Sequence, residues 1–221
     1  MLAQSLVKQK SNSLNWNPVK YSIGDLELES GETIRDCQIS ACIHGKPSET
    51  LTNVVLIAAS LGGNHRRLDF LIGPNRALDT NRYCVIATDA LGNGLSSSPS
   101  NSSLQPGLSF PKFSIRDMVK SQAQLIDQLS ISRIFCVIGA SMGGMQALQW
   151  GVSYPDRIDC LVALTPMART SAWSQAITAV SRQLLTADEG WKNGQISIDT
   201  WLAWTARMQS IACSTPTAIS H

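Results

Sequence analysis

Between Ile23 and Gly45 apolar and polar residues alternate on either side of Ser30-Gly31. That two-residue period suits strands with one wet and one dry face, so the stretch predicts a leading antiparallel hairpin. The pattern then changes. Asn53 to Ser60 (NVVLIAAS), Tyr83 to Asp89 (YCVIATD), Arg133 to Ala140 (RIFCVIGA) and Ile158 to Thr165 (IDCLVALT) are short, nearly continuous apolar runs. A strand covered by helices on both faces has no polar side to show, so these runs predict parallel strands in a sheet interior. Helical spacing lies between them. Ile115, Met118, Val119, Gln122, Leu125, Ile126 and Leu129 recur at steps of three and four, with Ser114 and Asp117 set to cap the first turn. A second helix is expected to begin just after Ser141, run through Met145, Leu148 and Trp150, and stop before Tyr154-Pro155. Strand and helix in alternation imply an α/β fold built on a doubly wound, mostly parallel sheet. After Pro166 come tryptophan-rich helical stretches, Ser171 to Ala187 and Ile198 to Ala212, with no strand between them. The expected organisation is a core over residues 1–166 and a helical cap or lid segment over residues 167–221.

At 221 residues the chain suits one domain, or a domain with a small insertion. Charged residues make up 15% of it and no block of like charge occurs, which argues against disorder. The balance of 18 Lys+Arg against 16 Asp+Glu leaves no basic excess to hold a phosphate backbone, so nucleic acid is not an expected partner. The longest apolar stretches fall far short of the roughly 18 residues a membrane helix needs. The opening MLAQSLVKQKSNS has neither the apolar core nor the small-residue cleavage site of a secretory signal, and a cytoplasmic protein is expected. Six cysteines form no CxxC, and Cys84, Cys136 and Cys160 lie inside strand-like runs, so buried free thiols are expected rather than disulfides or a zinc site. The segment Leu91 to Pro111 is rich in Gly, Ser, Asn and Pro and unusually long for a connection, which suits a flexible linker or a site entrance.

The strongest chemical signal is Gly139-Ala140-Ser141-Met142-Gly143, a G-x-S-x-G that follows an apolar run and opens a helical pattern. A serine on a sharp strand-to-helix turn is exposed at the helix N-terminus, and the flanking glycines let neighbouring backbone approach without side-chain clash. The helix end then turns free N–H groups and a positive dipole toward a reacting carbonyl. Ser141 is therefore the candidate nucleophile. The spacing of Gly139, Gly143 and Gly144 lacks the G-x-G-x-x-G order, and no G-x-x-x-x-G-K-[ST] occurs, so a phosphate or dinucleotide site does not fit. An oxyanion needs two donors, the N–H of Met142 and one from the loop Ala59-Ser60-Leu61-Gly62-Gly63. No metal is implied.

The run Ser141-Met-Gly-Gly-Met-Gln-Ala-Leu-Gln-Trp150, with Tyr154-Pro-Asp-Arg157 after it, resembles the nucleophile region of homoserine O-acetyltransferases, members of the α/β-hydrolase superfamily. Further matches are Leu71-Ile-Gly-Pro-Asn-Arg-Ala-Leu-Asp-Thr80, Phe110-Pro-Lys-Phe-Ser-Ile-Arg-Asp-Met-Val119, Ala172-Trp173, Arg182-Gln183, Asp188, Trp191 and Ala206-Arg-Met208. The resemblance implies an α/β-hydrolase fold and acetyl transfer from acetyl-CoA, a co-substrate rather than a bound cofactor, to the hydroxyl of L-homoserine, a step toward methionine. The route would run through an acetyl-serine at Ser141. Leu61 and Met142 match the positions whose amides hold the oxyanion, Arg182 matches an arginine that contacts the acceptor's carboxylate, and a homodimer is implied.

Two departures accompany the resemblance. Where such acetyltransferases carry Gly-Ser-Thr-Gly-Pro, this chain has Gly92-Asn-Gly-Leu-Ser-Ser-Ser-Pro99, closer to hydrolytic relatives, so a serine esterase is the alternative activity. In this fold the triad acid and histidine follow the serine. The only histidine after Ser141 is His221, at the end of the chain, so a C-terminally truncated protein without its final strands, and an inert one, is a further expectation. Asp156, Asp159, Asp188 and Asp199 are expected to be structural. His44 and His65 precede the serine, and surface or hydrogen-bonding roles are expected for both, with His65 able to border the pocket.

Overall fold

β1 (Val19–Glu27) and β2 (Thr33–His44) form the leading hairpin, with Val19 opposite Ala41 and Glu27 opposite Thr33. The computed structural model describes Leu14 and residues 16–193, 197–200 and 202–204. β3 (Val54–Ala58), β4 (Cys84–Thr88), α1 (Ile115–Gln128), β5 (Ile134–Ala140), α2 (Met142–Ser153) and β6 (Ile158–Leu164) follow. The six strands make one sheet in the order β1-β2-β4-β3-β5-β6. β1, β2 and β4 are joined by antiparallel pairing, whereas β4, β3, β5 and β6 run parallel. After β4 the chain crosses to the other side of β3. This reversal opens a crevice beyond the carboxyl ends of β3 and β5, where open α/β sheets bind their ligands.

Every residue of β3 and β4 is buried, as their unbroken apolar sequences require. One face of the sheet, with Leu56 and Val137, packs against Val119, Leu125 and Ile126 of α1 and Trp150 of α2. The other face, with Val55, Ile57 and Ile138, is covered by Leu68, Ile72 and Leu78 of the segment after β3. α1 starts where Ser114 and Asp117 predict. The Ser114 hydroxyl accepts from the Asp117 amide, and the Asp117 carboxylate accepts from the Ser114 amide at 2.8 Å.

Two expectations need correction. β6 is not covered on both faces: Cys160, Val162 and Leu164 are exposed, because β6 is an edge strand and no described element packs on that face. Cys37, Cys42, Cys84 and Cys136 are the buried free thiols the sequence predicts, Cys160 is exposed, and Cys213 lies outside the described residues. The serine-rich segment is no loose linker either. β2 runs past the end of β4, and there Ser97 Oγ accepts from the Gln38 amide and Ser96 Oγ from the Ser40 amide, both at 2.9 Å. The serines supply acceptors for a strand that has outrun its neighbour.

The chain divides into two compact units after Ala168. In the second, α3 (Ala172–Thr186) is capped by Ser171, whose hydroxyl accepts from the Ser174 amide. Residues 198–200 and 202–204 are helical, and the rest of the second expected stretch lies outside the described residues. Asp188 serves this unit's local structure. Hydrogen bonds from the Thr200 and Ser197 hydroxyls and from the Gly190 and Ser197 amides hold its carboxyl well below the usual carboxylate range. Among the described residues no helix is long and apolar enough to cross a membrane.

Candidate active site

Ser141 ends β5 and begins α2 at φ 54°, ψ −119°, a left-handed conformation that a serine adopts only when the surroundings impose it. The imposition comes from packing. A Cβ on Gly139 would lie 2.0 Å from the Gly143 carbonyl oxygen, and one on Gly143 would lie 2.3 Å from the Ala58 carbonyl oxygen. Only hydrogen fits at either position, so strand, turn and helix close onto one another and onto the end of β3. The Ser141 amide donates to Leu164 O at 2.9 Å, which fixes the turn to β6. The serine side chain is left exposed.

Leu61 lies in the loop after β3, 68% exposed, with Gly62 following at φ 68°. Two side chains tie this loop to the elbow. Ser60 Oγ donates to Ala140 O at 2.8 Å, and Gln146 Nε2, from the buried side of α2, donates to Ala59 O at 3.0 Å. Among the described residues the amides of Leu61 and Met142 have no hydrogen-bond partner, so two N–H groups on neighbouring segments stay available beside the serine. Arg182, on α3 of the second unit, is exposed.

Gln146 is one link of a buried amide chain that the sequence reading missed. Trp150 Nε1 donates to Gln122 Oε1 at 2.8 Å, Gln122 Nε2 donates to Gln146 Oε1 at 2.7 Å, and Gln146 passes the sequence on to Ala59. Each of these donors meets an acceptor. Gln146→Leu leaves the Gln122 amide and the Ala59 carbonyl stranded, and unfolding in urea should show a loss of about 2–4 kcal/mol.

Neither His44 nor His65 presents a base to Ser141. His65 is buried, with Nδ1 2.9 Å from Asp89 Oδ2 and Nε2 3.2 Å from Trp16 O, so both ring nitrogens are committed. Asp89 also accepts from the His65 amide at 2.8 Å and from Ser40 Oγ at 2.6 Å. The pair anchors the loop after β3 to the end of β4, and Asp89, at the carboxyl end of a buried strand, was the signal for it. His65 thus takes the hydrogen-bonding role; the surface alternative is wrong for it and for His44. Asp159 is ion-paired with Arg133, a structural role like that of Asp188. Asp156 and Asp199 are exposed, and His221 lies outside the described residues.

His44 is 2% exposed, lies against Trp16 with the ring centres 4.5 Å apart and the planes tilted by 53°, and has no hydrogen-bond partner on either ring nitrogen among the described residues. Burial, and next the nearby His65, push its pKa down to about 4 from an ordinary 6.5. Above pH 6.5 both folded and unfolded chains carry it neutral. Below that only the unfolded chain takes up the proton, so stability falls with pH by roughly 1.4 kcal/mol per unit until about pH 4. His44→Phe should flatten this part of the urea-stability profile between pH 6.5 and pH 4 relative to the parent.

A small polar hollow of about 100 Å³, lined by Lys20, Arg35, Asp36, Gln38 and Ser97 among others, includes neither Ser141 nor any residue of the loop after β3. Among the described residues no group of three or more His, Cys, Asp or Glu side chains is arranged to hold a metal ion.

A family model described as alpha/beta hydrolase fold matches residues 53–199. Homoserine O-acetyltransferase of Methanosarcina acetivorans is 37% identical over 189 residues, which are 77% of this chain and 35% of that protein. The enzyme of the same name from Citrifermentans bemidjiense is 36% identical over 77% of this chain and 52% of its own length. The chain thus spans between about a third and about half of these curated relatives. Among solved structures, an acetylester hydrolase from Corynebacterium glutamicum superposes with a TM-score of 0.83 at 30% identity, over 88% of this chain and 58% of that one.

Proposed function

The chain belongs to the α/β-hydrolase fold family and, within it, to the homoserine O-acetyltransferase family, and from that premise we propose that it carries the nucleophile half of an acetyltransferase that moves an acetyl group from acetyl-CoA to the hydroxyl of L-homoserine. The observation that carries the reading is the exposed Ser141 at φ 54° beside two unpartnered amides. In the proposed first step Ser141 Oγ attacks the thioester carbonyl. The carbonyl oxygen becomes an oxyanion, which the Met142 and Leu61 amides hold while the positive end of α2 faces it. The C–S bond breaks, the thiol of coenzyme A leaves, and an acetyl-serine remains. In the second step the acceptor hydroxyl attacks this ester and frees Ser141. Arg182 is proposed to grip the acceptor's carboxylate, for which a planar guanidinium fork is suited. A serine hydroxyl needs a base to become a good nucleophile, and His44 and His65 do not offer one, so the base is supplied from outside the described residues.

A second reading, a serine acetyl esterase, is favoured by one feature. The sequence Gly92-Asn-Gly-Leu-Ser-Ser-Ser-Pro99 resembles that of hydrolytic relatives, in line with the structural relative from Corynebacterium glutamicum, an acetylester hydrolase. Water and homoserine then compete for the same acetyl-serine, and pocket shape decides between them. The distinguishing experiment incubates the protein with acetyl-CoA and homoserine and measures O-acetylhomoserine against free acetate. Acetylhomoserine in excess supports the transferase; acetate that is unaffected by homoserine overturns it in favour of the esterase.

A further inference from the structure

Cys136 of β5 and Cys160 of β6 stand directly opposite each other in the parallel register. Partners so aligned point to the same face of the sheet, and neighbouring strands lie roughly 4.8 Å apart. That spacing falls inside the range of roughly 4.4–6.8 Å between Cα atoms that a disulfide spans. Neither Cys37, Cys42 nor Cys84 has a cysteine as its register partner. The two thiols also differ in access: Cys136 is buried in the core under the sheet, whereas Cys160 is exposed, no described element packing on its face of β6. Despite that exposure the Cys160 side chain leans toward β5, its Sγ 3.3 Å from the carbonyl oxygen of Phe135, the residue before Cys136.

We propose that Cys136 and Cys160 form a redox pair, closed to a cross-strand disulfide by a hydroperoxide and reopened by a dithiol. The exposed Cys160 sulfur attacks the peroxide oxygen, the O–O bond breaks, and Cys160 becomes a sulfenic acid while the peroxide leaves as water or an alcohol. Cys136 then attacks the Cys160 sulfur, the S–O bond breaks, and its thiol proton leaves with the hydroxyl as a second water. Two thiols lose two hydrogens and two electrons, and one peroxide bond is reduced. Burial, and next the Cys160 thiol, push Cys136 up to about 12, so the second step is the slow one. Parallel partners hold their Cβ atoms near the strand spacing, a few tenths of an ångström beyond a relaxed disulfide's roughly 3.5–4.5 Å, and a strained bond of this kind is readily reduced. The bond fastens β5 to β6 beneath the elbow, where the Ser141 amide already meets Leu164 O.

The test needs no enzymatic activity. The intact chain is treated with hydrogen peroxide, its remaining thiols are alkylated, and it is digested with trypsin without reductant. Cleavage after Arg133, Arg157 and Arg169 puts the two cysteines on separate peptides, 134–157 and 158–169. The expected product is those two peptides joined, short of two hydrogens, separated again by dithiothreitol and absent from Cys160→Ser. In Cys136→Ala, Cys160 should instead persist as a sulfenic acid that dimedone traps. Both thiols left alkylated, Cys160 oxidised to sulfinic acid beside a free Cys136, or Cys160 joined to a second copy would each overturn the proposal.

Discussion

Gly139→Ala is expected to lower stability by about 3 kcal/mol or more, the upper end of what overpacking costs. The added methyl would sit 2.0 Å from the Gly143 carbonyl oxygen and 2.1 Å from its carbon, and both are backbone atoms of the turn itself. No rotamer change relieves that clash. Either β5 and α2 separate, which also pulls Gly143 off the Ala58 carbonyl, or the turn at Ser141 opens. Thermal unfolding should register the change as a midpoint lower by roughly 10 °C. Gly107→Ala provides the comparison. Its φ is 56° but nothing lies within 4 Å of the added Cβ, so only the backbone penalty of about 1 kcal/mol applies. Equal losses in the two variants would mean that close packing does not hold the elbow.

Replacement of Ser141 separates chemistry from strain. Ser141→Ala removes the proposed nucleophile and should reduce the proposed acyl transfer roughly a thousandfold or more, to whatever oxyanion stabilisation and binding alone can provide. Stability should barely change, because alanine meets the same strain at φ 54°. Ser141→Gly should abolish the chemistry equally yet raise stability by about 1 kcal/mol, since glycine accepts this conformation freely and its greater freedom in the unfolded chain offsets only part of the gain. Urea unfolding of the three proteins, read beside their acyl-transfer rates, checks both signs. A glycine variant less stable than the alanine variant would show that the turn stores no strain.

Much of the fold was legible because its signals are local. The apolar runs over Val54–Ala58 and Cys84–Thr88, each bounded by turn residues, read as buried strands, and the Ser114 and Asp117 pair marks a helix start. The elbow was legible for the same reason, since the glycines flanking Ser141 and the strand before it are consecutive in sequence. What stayed hidden depends on distant partners. Asp89 meets His65 across 24 residues, Gln146 meets Ala59 across 87, and the serines beside Asp89 fold back along β2. No periodicity announces such hydrogen bonds.

The most direct test of the account is the intact mass of the protein after brief exposure to acetyl-CoA, with peptide mapping over residues 134–157. The account predicts one added acetyl group on Ser141, lost in Ser141→Ala and discharged when homoserine is added. An unmodified Ser141, or an acetyl group carried elsewhere with Ser141 free, would contradict it.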